Sequence, residues 1–118
     1  MPNNTILFIL AALLFSAPAV AKESAADNYG TYCVQCHGLK GNGNGINVRD
    51  MEVQPRDHTD AKAMSARSDE TLFKVVKEGG PSIDKSILMP PWGDTFSDEE
   101  IRDLVQHLRM LCKCKFGS

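Results

Sequence analysis

The chain has 118 residues, 13 of them basic and 15 acidic, for a formal net charge of -2. That length sets one domain as the ceiling, and a mixed, near-neutral surface speaks against nucleic-acid binding. With four cysteines and only a modest core to bury, such a chain is expected to lean on a cofactor, a metal or disulfides.

Residues 6–15 form an apolar run, followed by the small residues Ser16, Ala17, Pro18, Ala19, Val20 and Ala21. The Ala-x-Ala ending predicts a secretory signal over 1–21 with cleavage after Ala21, although no Lys or Arg precedes the apolar run. A retained anchor fits less well, because the run falls short of the roughly 20 apolar residues a membrane span needs. The expected mature domain, 22–118, carries no span and ends in a short cysteine-containing tail.

A first helix is expected over 24–32, running into Cys33. Its Tyr29 and Tyr32 lie three apart, so one face can carry both rings. Gly30 inside it is read as a point of close approach by another backbone, with a fraying helix end as the alternative. Four glycines at 38, 41, 43 and 45, with Asn42 and Asn44 between them, predict a tight irregular turn, since Gly and Asn tolerate positive φ. No strand precedes them and no Gly-Lys-Ser/Thr follows, so a nucleotide loop is not indicated.

Residues 47–66 read as a polar surface connection with one short helix near 61–64. The clearest helix start is Ser68, with Asp69 and Glu70 in the first turn and Leu72, Phe73, Val75 and Val76 on the core side, ending at Gly79-Gly80. An irregular stretch, 81–93, follows. The last helix opens with Ser97 and Glu100 as a capping box and carries an apolar stripe at Ile101, Leu104, Val105, Leu108 and Leu111. The expected class is all-α, with three to four helices joined by loops.

The chemistry sits in Cys33-Val34-Gln35-Cys36-His37, the C-x-x-C-H pattern of covalent haem c attachment. Two thiols one turn apart can form thioethers to two vinyl groups on one edge of a macrocycle. His37 then supplies the iron's first axial ligand, its other ring nitrogen free to donate to a carbonyl. Three rivals share the cysteines: a thioredoxin-type dithiol, a zinc site using Cys33, Cys36, His37 and Cys112, and a structural disulfide.

For the second axial position, Met89 stands out from Met51, Met64 and Met110. Pro90 and Pro91 stiffen its loop, so a thioether can be presented with little further ordering. Trp92 beside it could shield the cofactor. The other methionines are read as packing, His58 as a minor rival ligand, and His107 as a packed or half-exposed residue of the last helix.

Taken in order, 29–38, 41–45, 68–80, 88–93 and 96–109 resemble a class I c-type cytochrome of the bacterial monohaem periplasmic type. The resemblance implies first and last helices crossing beside one haem c, Cys33 and Cys36 as attachment residues, and His37 and Met89 as iron ligands. It also implies a periplasmic one-electron carrier, with no catalytic residue of its own, serving redox protein partners that the sequence does not identify. Alternatives are a haem subunit of a larger redox complex, or a gas-binding haem protein with a displaceable or thiolate distal ligand. Lys40, Lys74, Lys77 and Lys85 could ring the haem edge and steer a partner.

Two features depart from that family. His107 stands where an aromatic often meets the first helix, and is expected either to weaken the crossing or to hydrogen-bond near Tyr29 or Gly30. Cys112 and Cys114 in the tail could form a local disulfide, bridge to a second chain as a dimer, or bind a metal.

Overall fold

A computed structural model describes residues 21–118. Apart from Ala21, the expected signal over 1–21 lies outside the described residues.

Each main helix begins where a side chain answers an otherwise unpaired backbone N–H. The Ser24 hydroxyl accepts from Asp27 N–H at 3.1 Å and opens α1, Ala25–Tyr32. One further turn, α2, Val34–His37, follows Cys33 at once. Asp60 caps α3, Ala61–Ser65, through Ala63 N–H at 3.0 Å. Ser68 caps α4, Asp69–Glu78, through Thr71 N–H at 3.1 Å. Ser97 and Glu100 complete a reciprocal capping box at the start of α5, Asp98–Cys112. Short 3₁₀ turns, Val48–Asp50 and Gly80–Ile83, lie in the connections. The fold is all-α, as expected, and the helix beyond the anticipated four is the single turn α2.

The long helix α5 organises the rest by packing against α1, α3 and α4. Its stripe of Ile101, Leu104, Val105 and Leu108 is buried against Tyr29, Met64, Leu72 and Val76. Each such side chain contributes on the order of 1.5–3 kcal/mol by leaving water. Arg109 lies among these apolar residues, only 9% exposed. Its Nε donates to Asp69 Oδ1 at 2.8 Å and its Nη1 to Met64 O at 2.8 Å, while Nη2 donates to Arg67 O. One side chain thereby ties the end of α3 and the start of α4 to α5.

Several expectations need correcting. Gly30 is not a point of close approach, because among the described residues no atom of another element comes within 4 Å of where its Cβ would stand. Glycines that do admit close neighbours lie in the following turn and, farther on, at 79, 80 and 93. Segment 47–66 is not purely surface, since His58, Met64 and Ser65 are buried. Cys112 and Cys114 are bonded to each other within one chain, which removes the dimer bridge. The same bond leaves neither sulfur for zinc or for a thiolate on iron. The tail then returns to α3, where Gly117 N–H donates to Ser65 O at 2.8 Å. Among the described residues no helix is long and apolar enough to cross a membrane.

Candidate functional site

A cavity of about 470 Å³ opens above α4 and α5 and lies within the usual range of cofactor pockets. Leu72, Val76, Leu104 and Leu108 supply apolar lining, and Tyr32, Trp92 and Phe96 an aromatic side. Those three rings meet each other, with Tyr32 edge-on to Trp92 at 5.4 Å and to Phe96 at 5.2 Å. Cys33, Cys36, His37 and Met89, all four residues expected from the sequence, line this one cavity.

The segment bearing His37 is held by a wrap of backbone. Gly38, Gly41 and Gly43 take φ of +85°, +73° and +81°, a region closed to most side chains. The turn they form brings Gly43 N–H onto His37 O at 2.7 Å and Gly45 N–H onto Cys36 O at 3.0 Å. Farther along, Arg56 O accepts from His37 Nδ1–H at 3.0 Å. A carbonyl can only accept, so that bond fixes the tautomer and leaves the lone pair on Nε2. Burial lowers the His37 pKa, only partly opposed by the bond to Arg56, which favours the neutral ring that a metal needs.

Cys33 and Cys36 are both free. Burial, helped by the neighbouring Cys36, pushes the Cys33 thiol up to about 11. A thioredoxin-type pair needs the opposite, a thiol with lowered pKa. The zinc rival also fails. Cys112 is in a disulfide, and among the described residues no three His, Cys, Asp or Glu side chains gather as a metal site.

His58, expected from the sequence only as a minor rival ligand, instead packs against His37. It is 8% exposed and lies flat on His37, the ring centroids 4.1 Å apart and the planes 19° from parallel. Its Nδ1 shares a hydrogen bond of 2.9 Å with the Tyr29 hydroxyl. Burial, followed by the nearby His37, holds its pKa well below the ordinary histidine value. A lone histidine in a polar stretch gave no sign of this. His107 reaches Tyr29 from α5 through ring contact, with centroids 5.0 Å apart, and among the described residues its buried Nδ1 finds no hydrogen-bond partner. The expected hydrogen bond from His107 to this part of α1 is therefore not made.

Met89 is placed by its main chain. Gly80 N–H donates to Met89 O at 2.8 Å, Trp92 N–H to Val76 O at 3.0 Å, and Gly93 N–H to Lys77 O at 3.0 Å. These bonds strap 89–93 to the end of α4. Gly79 permits the strap, having φ +86° and Met89 O 3.0 Å from where its Cβ would stand. Met51 also lines the cavity, so a second thioether is present, whereas Met64 is core and Met110 is 67% exposed. Of the four lysines expected around the opening, only Lys85 lines it. Lys77 is instead paired with Asp98 at 2.7 Å. Arg56 and Arg67 contribute the cationic lining that sequence reasoning left out.

The donor set fits a covalently attached haem c. It offers two free thiols one turn apart, an imidazole with one nitrogen already engaged, a thioether from a separate loop and an apolar lining with three cations. Fold and motif together define a c-type cytochrome module. The chain belongs to the family described as "Cytochrome C oxidase, cbb3-type, subunit III", which matches residues 20–108.

Among solved structures, the chain is similar to "KustC0563 c-type cytochrome" at 26% identity and a TM-score of 0.60, covering 75% of this chain and 98% of that one. It is also similar to a chain of the "Kuenenia stuttgartiensis reducing HAO-like protein complex Kustc0457/Kustc0458" at 26% identity and a TM-score of 0.60. That match covers 77% of this chain and 42% of the other. A point mutant of Kustc0563 matches at 25% identity and a TM-score of 0.59, covering 75% of this chain and 99% of that one. No curated protein sequence matches.

Proposed function

We propose that this chain holds one haem c and passes single electrons as the haem module of a larger redox assembly. When bound, the group supplies a one-electron iron couple. In this reading Cys33 and Cys36 tether it, His37 and Met89 ligate the iron, and Arg56, Arg67 and Lys85 offset its acidic groups. Trp92, Phe96 and Tyr32 exclude water from the site. In this reading His37 and Met89 would both be committed to the iron and would leave no open position for a substrate, so the module would carry electrons without a catalytic step of its own.

The observation that carries the haem reading is the convergence of the C-x-x-C-H turn and Met89 on one apolar cavity. Its place in an assembly is supported by the family's description as an oxidase subunit, and by the longer chain of a protein complex that contains the same fold. A second reading, a freely diffusing class I monohaem carrier, is favoured by KustC0563, whose length the fold covers almost entirely. The predicted secretory signal and the Cys112–Cys114 disulfide support a periplasmic location under either reading.

Optical spectra and redox titrations of the wild type, Met89→Ala and Met51→Ala test the ligands. The expected result is that Met89→Ala keeps its haem, loses the weak red charge-transfer band of methionine ligation and shifts to a lower midpoint potential, while Met51→Ala retains band and potential. An unchanged potential in Met89→Ala overturns the assignment, and rapid carbon monoxide binding by the reduced wild type favours a gas-binding protein. Purification of the tagged chain from its native host separates the two settings. Co-purifying redox subunits in fixed stoichiometry support the assembly, and a lone monomer supports the carrier.

A further inference from the structure

A metal-bound imidazole held only by its second nitrogen can still turn about the axis through both nitrogens. One hydrogen bond along that axis, such as the bond from His37 Nδ1–H to Arg56 O, fixes the tautomer but restrains the ring plane weakly. A flat neighbour restrains the plane, because turning the ring drives its edge into the neighbouring face.

We propose that His58 is a positioning residue for the His37 imidazole, setting the plane of that ring through a face-to-face stack that Tyr29 holds in place. The inference rests on the reading of His37 as an iron ligand.

Four observations carry it. The two imidazoles lie 19° from parallel with centroids 4.1 Å apart, close enough for face-to-face contact. His58 is itself fixed at both ends, its backbone N–H donating to Gly41 O at 2.7 Å and its Nδ1 bonded to the Tyr29 hydroxyl at 2.9 Å. Tyr29 is 4% exposed, so its hydroxyl is a fixed point rather than a surface group. Gly41 makes room for this arrangement, because a Cβ there would stand 3.1 Å from the Tyr29 oxygen and 3.6 Å from His58 Cβ. The segment ahead of His58 is also rigid, since Asp57 Oδ1 accepts from Thr59 N–H at 2.8 Å and from Thr59 Oγ1–H at 2.6 Å.

A side chain that only filled space here would need no hydrogen bond. Phenylalanine or leucine would fill it without a buried nitrogen to satisfy. The bond to Tyr29 stops the His58 ring from rotating about its own χ2, which is what a stacking surface needs if it is to impose an orientation.

The test uses the haem-loaded protein in its ferric state and reads the order and spread of the haem-methyl proton resonances, which follow the plane of the axial imidazole. Tyr29→Phe keeps the packed ring and removes the hydroxyl, and His58→Phe keeps a flat stacking partner and removes the nitrogen. Both are expected to reorder the methyl resonances in the same sense, and the double variant to add little, because both single changes cut one bond. His58→Asn, whose amide can still bond to Tyr29 but offers no flat ring, is expected to narrow the spread through a freer ligand ring.

Unchanged methyl resonances in folded Tyr29→Phe and His58→Phe overturn the inference. If a His58 variant does not fold, Tyr29→Phe alone decides, since it alters the stack from the opposite side. Failure of the underlying reading looks different: the wild-type spectrum then shows no histidine ligation, or His37→Ala leaves it unaltered.

Discussion

The loop that presents His37 and the loop that presents Met89 are secured in different ways. Around His37 both side chain and main chain are engaged: Nδ1 is bonded to Arg56 O, the ring is covered by His58, and the turn beyond it is bonded back onto Cys36 and His37. Around Met89 the main chain is engaged, through the strap from Gly80, Val76 and Lys77, and among the described residues no hydrogen-bond partner orients the thioether. The difference follows from the ligands. An imidazole has a tautomer and a plane to set, whereas a flexible, polarizable thioether needs only to be delivered to the right place.

The comparison breaks most completely if the frame shared by both loops is removed. Arg109→Ala removes the guanidinium donors from Arg67 O and from Met64 O, the latter keeping the Arg67 N–H at 3.2 Å, and leaves Asp69 without this partner. It is expected to cost about 2–5 kcal/mol in urea denaturation. Both loops should loosen together, and a variant that loosens only one would show that α5 does not anchor them jointly.

Next in size is Gly41→Ala. Its φ of +73° strains an alanine, and the new Cβ would stand 3.0 Å from Leu111 Cδ1 and 3.1 Å from the Tyr29 oxygen. A loss of about 1–3 kcal/mol is expected, confined to the His37 side. Hydrogen exchange should then rise at residues 38–45 and 56–58 and stay level at 79–93.

The smallest effect concerns His107. Burial lowers its pKa below that of an exposed imidazole. The unfolded chain therefore binds this proton more readily than the folded one, and the stability involved is present above about pH 6.5 and lost as the pH falls. His107→Phe removes the titrating group and leaves an aromatic ring against Tyr29. Its stability relative to wild type is expected to grow steadily on acidification from pH 7 to 5, by denaturation at each pH. A constant difference would show that His107 titrates normally in the fold.

What could be read from the sequence divides along the same line as the two loops. Ser68 and Ser97 announced their helices because a cap and its N–H partner lie within three residues, whereas Ser24 reads in sequence as part of the first helix and proves to be its cap. The attachment turn and the proline-stiffened Met89 loop were legible for the same reason, since spacing and local stiffness are written in adjacent letters. His58 was not, because its role depends on Tyr29, His37 and Gly41, which come together only through the fold. Arg109 was hidden likewise. In sequence it is a charge near the end of a helix, and its partners Met64, Arg67 and Asp69 lie at least 40 positions away. Gly30 erred in the other direction, since a glycine between two tyrosines invited a packing explanation that the structure does not need.

The bond between Cys112 and Cys114 encloses a single residue, Lys113. A trypsin-like protease that cuts after Lys113 therefore opens the backbone without detaching anything. The nicked molecule would be heavier by one water and would otherwise run as the intact chain until a reductant frees the last five residues.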